Sequence, residues 1–195
     1  LAYEEERRVR TPGGILDLTM EIPFSTALRH LCGRHGITLG IPWEEAAEIY
    51  WRHRTRYDPC EGVGELFRFL GKRGIRAAMI TNNMFQDTII RRRLDEIAPD
   101  VRFEFILSSA DVASAKPDPR LFRIALETAG VAPGDAWHAG DSVSNDVMGA
   151  AAAGIFPVWY TRYVSGRHAV PPEIPYLRAE SWRDLAAAIE TADQK

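Results

Sequence analysis

The sequence predicts an α/β fold with a three-layer core, in which helices cover both faces of a parallel β-sheet, and with a small α-helical cap. Beyond residue 58, short apolar runs of strand length alternate with amphipathic helical segments, which is typical of a parallel sheet with helical crossovers. From Phe24 to Trp51, apolar residues recur at three- and four-residue spacing, which predicts helices alone. We therefore assign residues 1–57 to the cap and residues 58–195 to the core.

Composition limits the classes of function. The 195 residues suffice for one core and a small accessory lobe. With 24 Lys and Arg against 27 Asp and Glu, the net charge of -3 offers no attraction for nucleic acid or an acidic membrane surface. No apolar stretch is long enough to span a bilayer. The two cysteines allow at most one disulfide, so we expect a cytoplasmic protein. The sequence does not indicate an oligomeric state.

Local signals place each element of the core. Gly74, Gly130 and Gly154 follow apolar periodic segments and predict helix ends, and Ser181 predicts a helix start. The predicted strands cover residues 75–80, 103–107, 136–139 and 155–159, and the predicted helices cover residues 62–73, 86–97, 120–129, 145–153 and 182–191. Charged residues in the first ten positions predict a further helix there.

Polar side chains follow three of the predicted strands. Thr81 and Asn82 come directly after the first strand, Lys116 precedes a predicted helix start, and Asp141 and Asp146 follow the third strand at a spacing of five. Ligands of an open parallel sheet bind outside the carboxyl ends of its strands. A hydroxyl donor, an ammonium and two carboxylates able to hold a hard cation are the groups that phosphoryl transfer needs. Asn82 is either a turn residue or a phosphate contact.

These segments resemble the second, third and fourth motifs of the haloacid dehalogenase-like hydrolases. They occur in the family's order, with 35 residues from Thr81 to Lys116 and 25 from Lys116 to Asp141. The resemblance implies a Rossmann-like core, a helical cap, and Mg²⁺-dependent hydrolysis of small phosphomonoesters through an aspartyl-phosphate. It implies that Thr81 hydrogen-bonds the phosphoryl group, that Lys116 balances its charge, and that Asp141 ligates Mg²⁺, with Asp146 helping directly or through water.

The family's first motif, an apolar strand that ends in Asp-x-Asp-x-Thr, is not found in this sequence. The nearest segment is residues 15–19, but Gly13 and Gly14 shorten its strand and Thr19 stands where the second Asp belongs, so we reject Asp17 as the nucleophile. We expect the nucleophile upstream of residue 1. The family's first strand is central in the sheet, so its absence predicts two unpaired strand edges. A different strand or a partner chain is the alternative source.

The sequence also allows other interpretations of the function of the chain and of single residues. The chain is alternatively a non-catalytic binding or scaffold protein of the same fold, or an enzyme with another activity of the family, such as a phosphomutase or a dehalogenase. His138 lies within a predicted strand and is interpreted as a satisfied core histidine. Residues 52–56 form a basic run, which is either a solvated face or a contact for the anionic end of a substrate.

Overall fold

The computed structural model describes residues 8–11, 14–17, 21–54, 58–163 and 171–192. Residues 1–7, Gly13, Thr19 and Arg56, which entered the predictions above, lie outside the described residues. Strand β1, Arg8–Thr11, pairs antiparallel with β2, Gly14–Asp17. The prediction of a helix over the first ten residues is therefore wrong for residues 8–10. The charge pattern suggested a helix, but the β-branched Val9 and Thr11 favour an extended backbone.

The predicted elements beyond residue 21 are present in the predicted order, and most of their boundaries agree to within one or two residues; the short helix at Ser109–Val112 and the strand at Leu177–Ala179 were not predicted. The helices of the cap region are α1 (Phe24–Arg34) and α2 (Trp43–Arg54). The core comprises α3 (Val63–Lys72), β3 (Met79–Thr81), α4 (Asp87–Ile97), β4 (Ile106–Ser108), α5 (Ser109–Val112), α6 (Pro119–Ala129), β5 (Trp137–Gly140), a π-helical segment (Val143–Met148) that continues into α7 (Gly149–Ala152), β6 (Phe156–Tyr160), β7 (Leu177–Ala179) and α8 (Trp182–Ala192).

The core sheet is divided into two pieces. Strands β3 and β4 pair in parallel, and β5, β6 and β7 form a separate parallel sheet in that order. A cavity of about 1310 Å³ runs along residues 75–81 on one side and residues 136–141 on the other. In the part of the chain that the structure describes, no strand pairs with the cavity-facing edge of β3 or of β5. The expectation of two unpaired edges stays a prediction for the chain as a whole.

Helices cover both faces of the sheet. On one face, Leu66 of α3 and Leu185 of α8 pack with Val158 of β6. On the other face, Phe122 of α6 packs with Ala150 of α7. Burial of a large apolar side chain stabilises a fold by about 1.5–3 kcal/mol, so these contacts hold the layers together. The arrangement confirms the predicted three-layer α/β core.

The cap helices form a hairpin that packs on the core. Ala47 and Trp51 of α2 are buried against Phe85 and Ile89 beside α4, and the Trp51 and Phe85 rings stack with centroids 4.7 Å apart. Arg52, from the basic run, pairs with Glu96 at 2.7 Å. Exposed ion pairs contribute little, so the apolar contacts fix this hairpin. The division between cap and core at residues 57 and 58 stays a prediction. No helix in the described ranges is long and apolar enough to cross a membrane.

Candidate active site

Lys116 links the two pieces of the sheet at their carboxyl ends. Its Nζ lies 2.6 Å from Asp146 Oδ1 and donates a hydrogen bond of 3.2 Å to the carbonyl oxygen of Ile80 in β3. The side chains of Lys116 and Asp146 are only 11% and 5% exposed. The structure therefore brings together two of the predicted site residues, although 30 positions separate them in the chain.

The Asp146 carboxylate is surrounded by donors. Its Oδ1 also lies 3.2 Å from His138 Nε2, and its Oδ2 accepts a hydrogen bond of 2.9 Å from the backbone N–H of Ser142. Burial alone raises the pKa of Asp146, but the contacts with His138 and Lys116 together outweigh it and hold the pKa well below its ordinary value. Asp146 is therefore an anion at neutral pH and balances the charge of Lys116.

Gly140 makes room for this carboxylate. It is the last residue of β5, and a Cβ atom at this position would lie 2.2 Å from Asp146 Cγ and 2.5 Å from Asp146 Oδ2. Carbon atoms do not approach so closely, so a larger residue at position 140 would displace the Asp146 side chain. The glycine of the Gly140-Asp141 pair is thus required by packing.

Asn82 holds the backbone of Lys116. Its Oδ1 accepts a hydrogen bond of 2.7 Å from the Lys116 N–H, and its Nδ2 donates one of 2.8 Å to the Lys116 carbonyl oxygen. The side-chain amide therefore pairs with both polar backbone atoms of this residue and fixes the point from which the ammonium extends. A contact between Asn82 and phosphate stays a prediction.

Thr81 and Asp141 border the same cavity. Thr81 ends β3 and is partly buried, and Asp141 follows β5 and is exposed. The backbone of Asp141 is anchored, because its carbonyl oxygen accepts a hydrogen bond of 3.1 Å from Trp159 Nε1. Among the described residues, no hydrogen bond or ion pair engages the Asp141 carboxylate. This carboxylate is free to bind a ligand at the edge of the sheet.

The donor set fits a magnesium ion. The available ligands are carboxylate oxygens, which Mg²⁺ prefers, and Mg²⁺ is commonly bound through one or two carboxylates with water and substrate phosphate completing its shell. Asp141 offers an unengaged carboxylate, whereas both oxygens of Asp146 already accept hydrogen bonds. No group of three or more His, Cys, Asp or Glu residues that could hold a metal exists within the described ranges. A metal here would depend on water and substrate for most of its ligands.

Three contributors to this site were not predicted from the sequence. The backbone atoms of Ile80 and Ser142 contact Lys116 and Asp146, and no side-chain pattern predicts such roles. His138 was interpreted as a satisfied core histidine, and its ring is largely buried and contacts Asp146; this partner was not predicted. The available signal was that His138 is a polar residue in a strand whose two faces are otherwise covered by apolar layers.

Known proteins of similar sequence and structure include phosphatases and dehalogenases. The chain is 35% identical over 144 residues to a phosphoserine phosphatase of Thermus thermophilus, covering 74% of the chain and 56% of that protein. It is 30% identical over 145 residues to phosphoglycolate phosphatase 1 of Pseudomonas aeruginosa, covering 74% of the chain and 52% of that protein. The chain thus spans about half the length of these curated relatives.

Structural similarity supports the same fold. The crystal structure of a 2-haloacid dehalogenase from Pseudomonas syringae matches with a TM-score of 0.70 at 23% identity, over 90% of this chain and 75% of that one. The sequence model of the haloacid dehalogenase-like hydrolase family matches residues 16–154. These residues include every predicted site residue. The chain therefore belongs to the haloacid dehalogenase-like hydrolases.

Proposed function

We propose that this chain supplies the metal and phosphate site of a Mg²⁺-dependent hydrolase that cleaves small phosphomonoesters through an aspartyl-phosphate. The observation that carries the proposal is the ammonium of Lys116, which is 11% exposed and sits beside Asp146 at the carboxyl ends of both pieces of the sheet. A cation in this position can balance the negative charge of a transferring phosphoryl group. The names of the similar phosphatases support a small phosphorylated metabolite as substrate.

Each site residue has a separate role in this proposal. Lys116 Nζ and the Thr81 hydroxyl bind the equatorial oxygens of the phosphoryl group, and Asn82 positions Lys116 through its backbone. Asp141 would hold Mg²⁺ directly, and Asp146 would help directly or through water. Bound there, Mg²⁺ would neutralise charge on the phosphoryl oxygens. A cytoplasmic location stays a prediction.

The nucleophile is the part that the described residues do not supply. We propose that it is an aspartate at the end of a strand that fills the gap between β3 and β5, because both unpaired edges border one cavity. Its carboxylate would attack phosphorus as the ester oxygen leaves, and water would then hydrolyse the acyl phosphate. Strand β2, which ends at Asp17, pairs with β1 instead.

A second candidate function is phosphate binding without catalysis. It is favoured by the same gap, since among the described residues no strand brings a carboxylate between β3 and β5. Dehalogenase activity is less favoured, because carbon–halogen cleavage in this family does not need the carboxylate pair Asp141 and Asp146.

Calorimetric titration tests the site under either function. We expect Mg²⁺ to bind the wild-type chain and to bind Asp141→Asn about tenfold more weakly, because one of two carboxylate ligands is lost. Asp135→Asn, which removes another carboxylate that borders the cavity, should bind as the wild type does. Indistinguishable affinities of wild type and Asp141→Asn would contradict the metal site.

The binding of inorganic phosphate tests the proposed role of the Lys116 ammonium. With Mg²⁺ present, Lys116→Ala should bind phosphate about tenfold more weakly or worse, because a charge-assisted contact is lost. Lys72→Ala is the matched control, since Lys72 is an exposed lysine at the end of α3. Equal phosphate affinity of wild type and Lys116→Ala would contradict the proposed role of Lys116.

A further inference from the structure

His138 is the polar residue of the site that the proposed function leaves without a role. It lies inside β5, its side chain is only 14% exposed, and its Nε2 is 3.2 Å from Asp146 Oδ1. The same oxygen accepts the hydrogen bond from Lys116 Nζ. One oxygen of the Asp146 carboxylate therefore contacts both the His138 imidazole and the Lys116 ammonium.

The protonation state of this contact follows from its surroundings. A ring nitrogen that faces a carboxylate oxygen at hydrogen-bond distance has to carry a proton. Because Asp146 is ionised and only accepts hydrogen bonds, that proton belongs on Nε2, which donates to Asp146 Oδ1.

Packing fixes the orientation of the ring. Phe122 meets the His138 ring edge-on, with centroids 5.2 Å apart and an interplanar angle of 88°. Phe122 is itself fully buried, and a Cβ atom on Gly149 would lie 2.8 Å from its ring. The imidazole has little room to turn away from Asp146.

We propose that His138 is a positioning residue, which orients the Asp146 carboxylate so that one oxygen faces Lys116 and the other faces the Ser142 N–H. An apolar residue would suit this place in a buried strand, and a histidine is tolerated there because its N–H has a partner. The inference rests on the proposed function, since Lys116 is the group that this arrangement holds toward phosphate.

Two variants separate positioning from packing. His138→Phe keeps a flat ring against Phe122 but has no donor, whereas His138→Gln can place an amide N–H near the position of Nε2. With Mg²⁺ present, we expect His138→Phe to bind inorganic phosphate about tenfold more weakly than wild type, the loss typical of one hydrogen bond to a charged group. His138→Gln should stay within about threefold of wild type.

Acetylation of Lys116 gives a readout that needs no phosphate binding. After brief treatment with acetic anhydride, mass spectrometry gives the ratio of modified Lys116 to modified Lys72, an exposed internal reference. We expect this ratio to be low in wild type and His138→Gln, and at least about threefold higher in His138→Phe and Asp146→Asn, where the ammonium is less restrained. A purely structural role would lower the melting temperature of both His138 variants and leave the ratio unchanged.

These experiments distinguish a failure of the proposed role of His138 from a failure of the proposed function. If Lys116→Ala binds phosphate as tightly as wild type, the proposed function fails, and the acetylation ratio still decides the role of His138. If His138→Phe does not fold, nitrogen NMR of the wild type decides, because the inference requires an Nε2–H imidazole. An Nδ1–H tautomer, or an unchanged acetylation ratio in a folded His138→Phe, would overturn it.

Discussion

Individual residues of the site gain their chemistry from their neighbours. Lys116 in water would be an ordinary lysine, but here Asp146 lies 2.6 Å away and Asn82 holds its backbone on both sides. The motif order predicted that Lys116 and Asp146 would share one site. It could not predict which atoms meet, because the Ile80 carbonyl and the Ser142 N–H are backbone groups with no sequence signature.

The two hydrogen bonds between the Asn82 side chain and the Lys116 backbone predict a loss of stability when Asn82 is substituted. Asn82→Ala removes both and leaves two polar backbone atoms of Lys116 without their partner, so we expect the free energy of unfolding to fall by about 1–3 kcal/mol and phosphate affinity to weaken. Asn82→Asp keeps an acceptor for the Lys116 N–H but places a carboxylate oxygen, which cannot donate, against the Lys116 carbonyl oxygen, so it should lose at least as much. Urea denaturation measures the stabilities. Equal stability of wild type and Asn82→Ala would show that the two hydrogen bonds contribute nothing.

The buried imidazole of His138 predicts a pH-dependent stability. Burial in the folded protein lowers the pKa of His138 below its ordinary value of 6.5. Just below pH 6.5, the unfolded chain therefore binds a proton at this residue and the folded chain does not. The free energy of unfolding should therefore fall as pH drops below about 6.5, by at most about 1.4 kcal/mol per pH unit from this one group.

Comparison with His138→Gln isolates this contribution. Denaturation at pH 7, 6 and 5 in metal-free buffer should show a shallower decline for the variant, while the other four of the five histidines remain in both proteins. Parallel curves for the two proteins would mean that His138 has the same pKa in the folded and unfolded chain.

Helices were easier to predict than strands, since their ends depend on local residues. Gly130 and Gly154 end helices with positive φ values of 66° and 78°, as their positions after periodic segments predicted. Strand β7 was missed, because only residues 177–179 pair with β6 and so short a run carries no periodicity. The strand predicted at residues 75–80 pairs only from Met79 onward, since a ladder needs a neighbouring strand as well as apolar residues.

The close packing of Asp146 on Gly140, at the end of β5, predicts a steric effect when one methyl group is added at position 140. In Gly140→Ala the new Cβ would lie 2.2 Å from Asp146 Cγ, so the carboxylate must move away from Lys116. We expect a loss of about 1–3 kcal/mol in the free energy of unfolding, together with weaker phosphate binding. The melting temperature and calorimetry with phosphate measure the two effects.

Gly71→Ala is the control for this substitution. Gly71 lies within α3, and a Cβ there meets no atom within 4 Å, so alanine should leave phosphate binding unchanged and stabilise the helix by up to about 1 kcal/mol. If Gly140→Ala behaves like Gly71→Ala, the close packing of Asp146 on Gly140 is not required for the site.

For the molecule overall, the alternation of helices and strands predicted the three-layer core. The edges of β3 and β5 that border the cavity have no strand partner among the described residues. The helices on both faces and the contact between Lys116 and Asp146 join the two pieces. The packing of the cap hairpin on α4 was not predicted, because the pattern of apolar residues defines a face and not the partner of that face.

The divided sheet leads to a prediction for residues 1–195 on their own. We expect them to bind phosphate with Mg²⁺ but to show no metal-dependent turnover of p-nitrophenyl phosphate, because no described strand brings an attacking carboxylate between β3 and β5. Unfolding should be of low cooperativity, since two strand edges have no partner within the described ranges. If these residues alone hydrolyse the ester and Asp17→Asn abolishes that activity without loss of fold, the nucleophile is Asp17 and our rejection of it is wrong.

The gap between β3 and β5 predicts the effect of an added strand. We predict that fusing an apolar strand of about five residues, ending in Asp-x-Asp-x-Thr, ahead of residue 1 sharpens the urea transition, because its backbone can pair with both free edges at once. The fusion should also hydrolyse p-nitrophenyl phosphate with Mg²⁺. The matched control replaces the first Asp of the added motif by Asn, which keeps the strand but removes the nucleophile, and it should retain the sharper transition without turnover. A fusion that neither unfolds more cooperatively nor hydrolyses the ester would contradict the proposal that the gap between β3 and β5 receives the catalytic strand.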